Sequence, residues 1–239
     1  MKGTLVNAAA VIVGGFLGLL LKKGIKESFQ ISMNKALGVS VLIIGINGVI
    51  SSMASVRDGN LSTNGELLLV VSLVAGTLFG EIVGIDEGLN NLSRFIEKKL
   101  SANDFAAGFM NATVVFCVGA MAIIGALNDG LAGDPSTLYV KSALDFTAAI
   151  VLSSTLGIGV IFSFVPLLIY QGGISIFAKS LSAVLQGELL SQVCAVGYAV
   201  IICIGINFLS NEKIKTANML PTVLVPVAYA GIKALIALF

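Results

Sequence analysis

Six stretches of this chain are long and apolar enough to cross a bilayer, at about 3–21, 36–53, 67–85, 105–127, 190–210 and 218–238. A spanning helix needs about 20 apolar residues. A seventh stretch, Tyr139 to Phe177, holds only two charged residues, Lys141 and Asp145, in 39 positions. As one helix it would be about 58 Å long at about 1.5 Å per residue, nearly twice a hydrocarbon core of about 30 Å. It is therefore read as two elements, broken at Gly157-Ile-Gly159, with Pro166 distorting the second. The expected fold is all-α: one polytopic helical membrane bundle over residues 1–239 with eight spans, seven being the alternative.

Composition agrees. Hydrophobic residues make up 56% of the 239 and charged residues 11%, with a mean hydropathy of +1.00. A soluble domain carries about 25% charged residues. The net charge of +1 shows no basic field for nucleic acid. The chain has no His, which removes Ser-His and Cys-His nucleophile pairs and HExxH zinc sites. Cys117, Cys194 and Cys203 lie in apolar runs without a CxxC pair and read as packing residues. No catalytic, metal or cofactor site is expected.

Basic residues set the orientation, because cytoplasmic loops carry the excess of Lys and Arg. Lys2 precedes a long apolar run and the Lys-rich flank follows it, which reads as a retained first span rather than a cleaved signal. Lys22, Lys23, Lys26 and Lys35 crowd the first loop, placing the N-terminus outside. Eight spans put nine basic loop residues inside and four outside; seven give eight against five. Residues 54–66 and 128–137 read as polar outer loops, and 86–100 as an amphipathic surface helix.

Two internal similarities compete. Val41-Leu-Ile-Ile-Gly-Ile-Asn47 resembles Val200-Ile-Ile-Cys-Ile-Gly-Ile-Asn207, as in an inverted repeat with halves 1–100 and 157–239 around a central helix pair at 103–156. Gly14-Gly-Phe-Leu-Gly18 resembles Gly76-Thr-Leu-Phe-Gly80 in helices of the same direction. Their small-xxx-small faces suit close packing within a subunit or a homodimer contact.

Further motifs carry a family resemblance: Gly3-Thr-Leu-Val-Asn7, Gly76-x-x-x-Gly80-Glu81, Phe116-Cys-Val-Gly119-Ala-Met-Ala-Ile-Ile-Gly125, Asp129-Gly130, Gly133-Asp134, Lys141-Ser142-x-x-Asp145, Pro166-x-x-x-Tyr170-Gln171-Gly172 and Ala217-Asn218-x-Leu220-Pro221. In these the chain resembles, over nearly its whole length, domain-of-unknown-function family 554 (DUF554), the YqgA/YdfK-like bacterial inner-membrane proteins. The resemblance implies a multi-pass protein of the bacterial cytoplasmic membrane and brings no substrate.

Polar side chains at membrane depth are costly and usually face a bundle interior or a water-filled cavity. Glu81 lies beside the slim backbone of Gly76, Gly80 and Gly84, as an ion or proton site or a headgroup carboxylate. Lys141 and Asp145 are four apart and share a helix face, as an ion pair or a gate. Asn7, Asn47, Asn111 and Asn207 lie in or near apolar helices, with Asn47 and Asn207 as symmetry mates of the repeat. Pro166 through Gln171, Gly172 and Gly173 reads as a broken helix with freed carbonyls. Glu188 and Gln192 read as a solvated helix start. The residues set out for substrate or ion binding are Asn47, Glu81, Lys141, Asp145, Gln171 and Asn207. With no Walker motif, the expected function is secondary or passive transport of a small solute or ion through a membrane transporter or channel. The alternative is a non-transporting scaffold, lipid-binding or assembly protein. The expected partners are membrane lipids, the solute and a second copy through the glycine faces.

Overall fold

The structure, a computed structural model, describes residues 1–22, 27–57, 60–88, 90–91, 105–117, 120–182 and 187–236. It is a helical membrane bundle. Among the described residues, four helices are long and apolar enough to cross a membrane: Lys2–Leu21, Glu66–Val83, Gly159–Ile176 and Gly187–Leu209. A fifth arises if Phe105–Cys117 and Met121–Leu131, bent by 61° at their junction, count as one span. Helical structure also occupies the other expected places, but three segments miss the length or hydropathy of a full span. The helix at Ser136–Leu156 carries Lys141, Asp145 and several hydroxyls. The last segment divides into a 3-10 helix and a 12-residue α-helix. Gly38–Met53 is a shorter apolar helix.

The chain divides into two compact units. The first comprises Met1–Ala36 and Leu89–Val184, the second Leu37–Gly88 and Leu185–Phe239. In the first unit α1 (Lys2–Lys22) lies along α6 (Ser136–Leu156) in the same direction, with α4 (Phe105–Cys117), α5 (Ala120–Leu131), α7 (Gly159–Phe162), α8 (Phe164–Ile176) and α9 (Ala178–Leu181) completing it. The connecting α2 (Glu27–Met53), the strands β1 (Ala54–Arg57) and β2 (Asn60–Thr63), α3 (Glu66–Val83), α10 (Gly187–Leu209), the 3-10 helix Thr216–Leu224 and α11 (Val225–Ile236) follow in chain order.

Missing side chains let α1 and α6 touch backbone to backbone. A Cβ on Gly14 would sit 2.5 Å from the carbonyl oxygen of Phe146, and one on Gly18 only 2.3 Å from that of Ile150. Gly3 instead makes room for the Leu138 side chain. In the second unit a Cβ on Gly76 would sit 2.3 Å from Thr222 Cα, and one on Gly80 2.0 Å from the Asn218 carbonyl oxygen, both on the 3-10 helix. Both glycine faces are thus filled inside the chain.

The expected break at Gly157-Ile-Gly159 is present. Gly157 ends α6 with φ 82°, a backbone reserved in practice for glycine, and its N–H donates to the Ser153 carbonyl at 3.0 Å. The short α7 follows, and after Ser163 the helix restarts as α8 at Phe164. The chain is not broken at Gln171-Gly172-Gly173: α8 runs through all three. Pro166 is tolerated because it lies in the first turn, where an N–H has no partner within the helix. Pro221 falls inside the 3-10 helix and Pro226 in the first turn of α11, so the last segment changes helix type rather than simply bending.

The polar loop at 54–66 is a β-hairpin, paired from Ala54 with Thr63 to Arg57 with Asn60. In the other loop, Asp134 accepts from the backbone N–H and the hydroxyl of Ser136, holding its carboxyl below the usual range and marking the start of α6. Of the amphipathic helix expected at 86–100, residues 86–88 and 90–91 are helical. The remainder, with Arg94, Lys98 and Lys99, lies outside the described residues, as do Lys23 and Lys26.

Replacing Gly18 by Val puts a branched side chain against an immovable carbonyl. Gly18→Val should destabilise the protein by about 3 kcal/mol or more, while Gly231→Val, with nothing within 4 Å, should be near neutral. Thermal unfolding in detergent checks both.

Candidate functional site: a buried polar cluster

The parallel packing of α1 on α6 carries Asn7 to the Lys141–Asp145 face. Lys141 and Asp145 are 5% and 6% exposed and form an ion pair through Lys141 Nζ and Asp145 Oδ2. The same oxygen accepts from Asn7 Nδ2 at 2.9 Å. The other hydrogen of that amide reaches Gln171 Oε1 on α8, at 3.3 Å. Three helices are thus tied by one carboxylate and two amides, and Asn7 and Gln171 are fully buried.

A second buried carboxylate lies toward the start of α1. Asp129 on α5 accepts from the Gly3 N–H at 3.0 Å and lies 2.9 Å from the Met1 amine. Thr4, between Gly3 and Asn7, is also fully buried.

The other expected residues do not join this cluster. Glu81 is nearly half exposed and pairs with Lys215 at 3.0 and 3.1 Å. That carboxylate raises the Lys215 ammonium above its ordinary pKa of 10.5. A raised pKa means that the pair's contribution is present below 10.5 and lost as pH climbs past the shifted value. Asn207 is a structural clasp: its amide donates to the Ile214 carbonyl at 2.8 Å and accepts from the Ile214 N–H at 2.7 Å. Asn47 is exposed on α2. Asn47 and Asn207 are not neighbours. Contacts of Gly45 with Ile202 and of Gly205 with Leu42 run α2 and α10 antiparallel. Asn207 then stands about seven residues from Asn47, roughly 10 Å along the axis.

In the second unit an open cavity of about 290 Å³ lies among Ser51, Ser55, Asn64, Ser191, Gln192 and Glu188. Glu188 is exposed and accepts from Gln192 at 3.0 Å, as a solvated helix start would. Among the described residues no three Cys, Asp or Glu side chains converge as a metal site.

Asn7 and Thr4 are the members of the cluster absent from the expected set. Their signal was Gly3-Thr-Leu-Val-Asn7, where a hydroxyl and an amide fall one turn apart beside a glycine that admits a second helix.

The family model described as "Protein of unknown function (DUF554)" matches residues 2–230. The chain belongs to the DUF554 family. Within DUF554 it is 31% identical over 226 residues to "Uncharacterized membrane protein YdfK" of Bacillus subtilis (strain 168), covering 95% of this chain and 94% of that protein. It is 32% identical over 229 residues to "Uncharacterized protein YqgA" of Escherichia coli (strain K12), covering 93% of each. No solved structure matches.

Removing one partner of the buried pair strands the other charge. Lys141→Met should cost about 3–5 kcal/mol. The double change Lys141→Met with Asp145→Leu should recover most of that loss. A double-mutant cycle by thermal unfolding reads both values.

Proposed function

We propose that this chain is a secondary or passive transporter or channel for a small solute or ion in the bacterial cytoplasmic membrane. The cluster of Asn7, Lys141, Asp145 and Gln171 is its point of solute contact. The N-terminus faces outside, and the apolar segments make eight crossings. The reading is supported by the buried ion pair cross-linked to two amides inside an apolar bundle. Such groups are expensive at membrane depth and mark solute or ion pathways. The Bacillus subtilis relative, named as a membrane protein, agrees with the location. The excess of basic residues in the loops assigned to the inside supports the orientation.

A non-transporting scaffold is the second reading. It draws on Glu81 and Asn207, each already engaged by a neighbour within the chain.

Thermal unfolding of the purified chain against ions, amino acids, organic acids and small neutral solutes, followed by flux in liposomes, separates the readings. A ligand at 100 times its Kd stabilises the folded state by about 2.7 kcal/mol. Transport predicts a concentration-dependent shift from one chemical class, with matching flux, both lost in Asp145→Asn that remains folded. Folded protein showing neither shift nor flux contradicts it.

A further inference from the structure

The hydrogen-bond inventory of the cluster points to the class of solute. Asp145 Oδ2 accepts from Asn7, so the nitrogen of the Asn7 amide faces the carboxylate. Turning the amide over would set oxygen against oxygen. The nitrogen also faces Gln171, so Gln171 presents its oxygen. Turning Gln171 over would set one NH₂ against another. The carboxylate therefore fixes both amide orientations, one through the other.

That order leaves a remainder. Asn7 Oδ1, Gln171 Nε2 and Thr4 Oγ1 are buried and find no hydrogen-bond partner among the described residues. All three side chains are 0% exposed. Thr4 stands one helical turn from Asn7. The stretch from α7 through α8 runs antiparallel to α1, with Ile161 of α7 against Gly15 and Gly172 of α8 near Met1, so Gln171 stands level with the Thr4–Asn7 turn. Native proteins satisfy nearly all buried polar atoms, so orphans on facing turns of two packed helices are where a water or a bound solute would complete the bonding.

The partner's chemistry follows from what is left over. Gln171 Nε2 needs an acceptor, Asn7 Oδ1 needs a donor, and the Thr4 hydroxyl takes either. The charges of Lys141 and Asp145 cancel within the pair. An ion entering here would meet no net countercharge, and an uncompensated buried charge is far costlier than a neutral polar group.

We propose that the cluster binds a small uncharged solute bearing both a hydrogen-bond donor and an acceptor, of the amide, urea or polyol class, rather than an ion. This rests on the transport reading above and narrows its substrate.

The test uses the full chain in proteoliposomes. Stopped-flow light scattering follows acetamide, urea and glycerol entry, and fluorescent reporters follow H⁺, Na⁺, K⁺ and Cl⁻ in the same vesicles. Thr4→Val is the decisive variant, because it removes an orphan hydroxyl and breaks no bond that the structure makes. Its unfolding temperature should equal or exceed that of the unmodified chain. Its entry rate for at least one of the three solutes should fall about five- to tenfold, the worth of one hydrogen bond. Gln171→Leu should lower the same rate at least as much, and thermal stabilisation of the unmodified chain by that solute should disappear in both variants.

Ion flux without neutral-solute flux overturns the solute class and leaves transport standing. Neutral-solute flux untouched by Thr4→Val and Gln171→Leu overturns the site. Water permeation alone shows that the orphan atoms serve water and overturns the solute. Folded protein that passes none of these probes overturns the solute class, while the transport reading falls only if amino acids and organic acids also give neither shift nor flux.

Discussion

A lysine and an aspartate held out of water inside an apolar bundle impose conditions on everything around them. Neither charge is tolerable there alone, and even as a pair they need their remaining hydrogen-bonding capacity met. Their spacing of four on α6 satisfies the first condition within a single helix. The second draws in other elements. Asn7 must approach from α1, and Gln171 from α8 must then turn its oxygen toward Asn7. The first unit is arranged so that both arrive.

Arrival depends on the glycines. Without a hydrophobic driving force between helices in lipid, association relies on close packing and interhelical hydrogen bonds. Gly14 and Gly18 bring α1 onto the α6 carbonyls, and Gly3 admits Leu138 a turn before Asn7. Any side chain at these positions would hold the helices apart and stretch the Asn7–Asp145 bond. The glycine face and the polar cluster are thus one device: the first sets the distance at which the second closes.

Much of the fold was legible in the sequence because apolar runs, glycine breaks and basic flanks act locally. The break at Gly157 was visible, since few other residues adopt its backbone. The break expected at Gly172-Gly173 did not occur because a proline three residues into a helix forfeits no internal bond, and glycine by itself does not end a helix. The hairpin at 54–63 went unread, although Asp58-Gly59 between two short β-prone segments is a standard hairpin signature. The interleaving of Met1–Ala36 with Leu89–Val184 was not legible, because apolar helices choose partners by surface shape that spacing does not show.

The cluster was half legible. Lys141 and Asp145 declared themselves by their spacing in an apolar run. Asn7 stood out only as one of four amides in or near apolar helices, because its bond to Asp145 crosses 138 positions of sequence. Asn47 and Asn207 looked alike only through a short apolar match, and the structure gives Asn207 a loop to hold. Transport of a neutral solute requires that the orphaned atoms of Thr4, Asn7 and Gln171 meet it. Side-chain amide NMR of the purified chain, with Asn7 and Gln171 assigned by substitution, reads this directly. Titration with at least one of acetamide, urea and glycerol should shift the Gln171 resonance saturably while sodium chloride leaves it in place. A Gln171 signal that ignores every neutral solute, or answers to salt instead, would contradict the account.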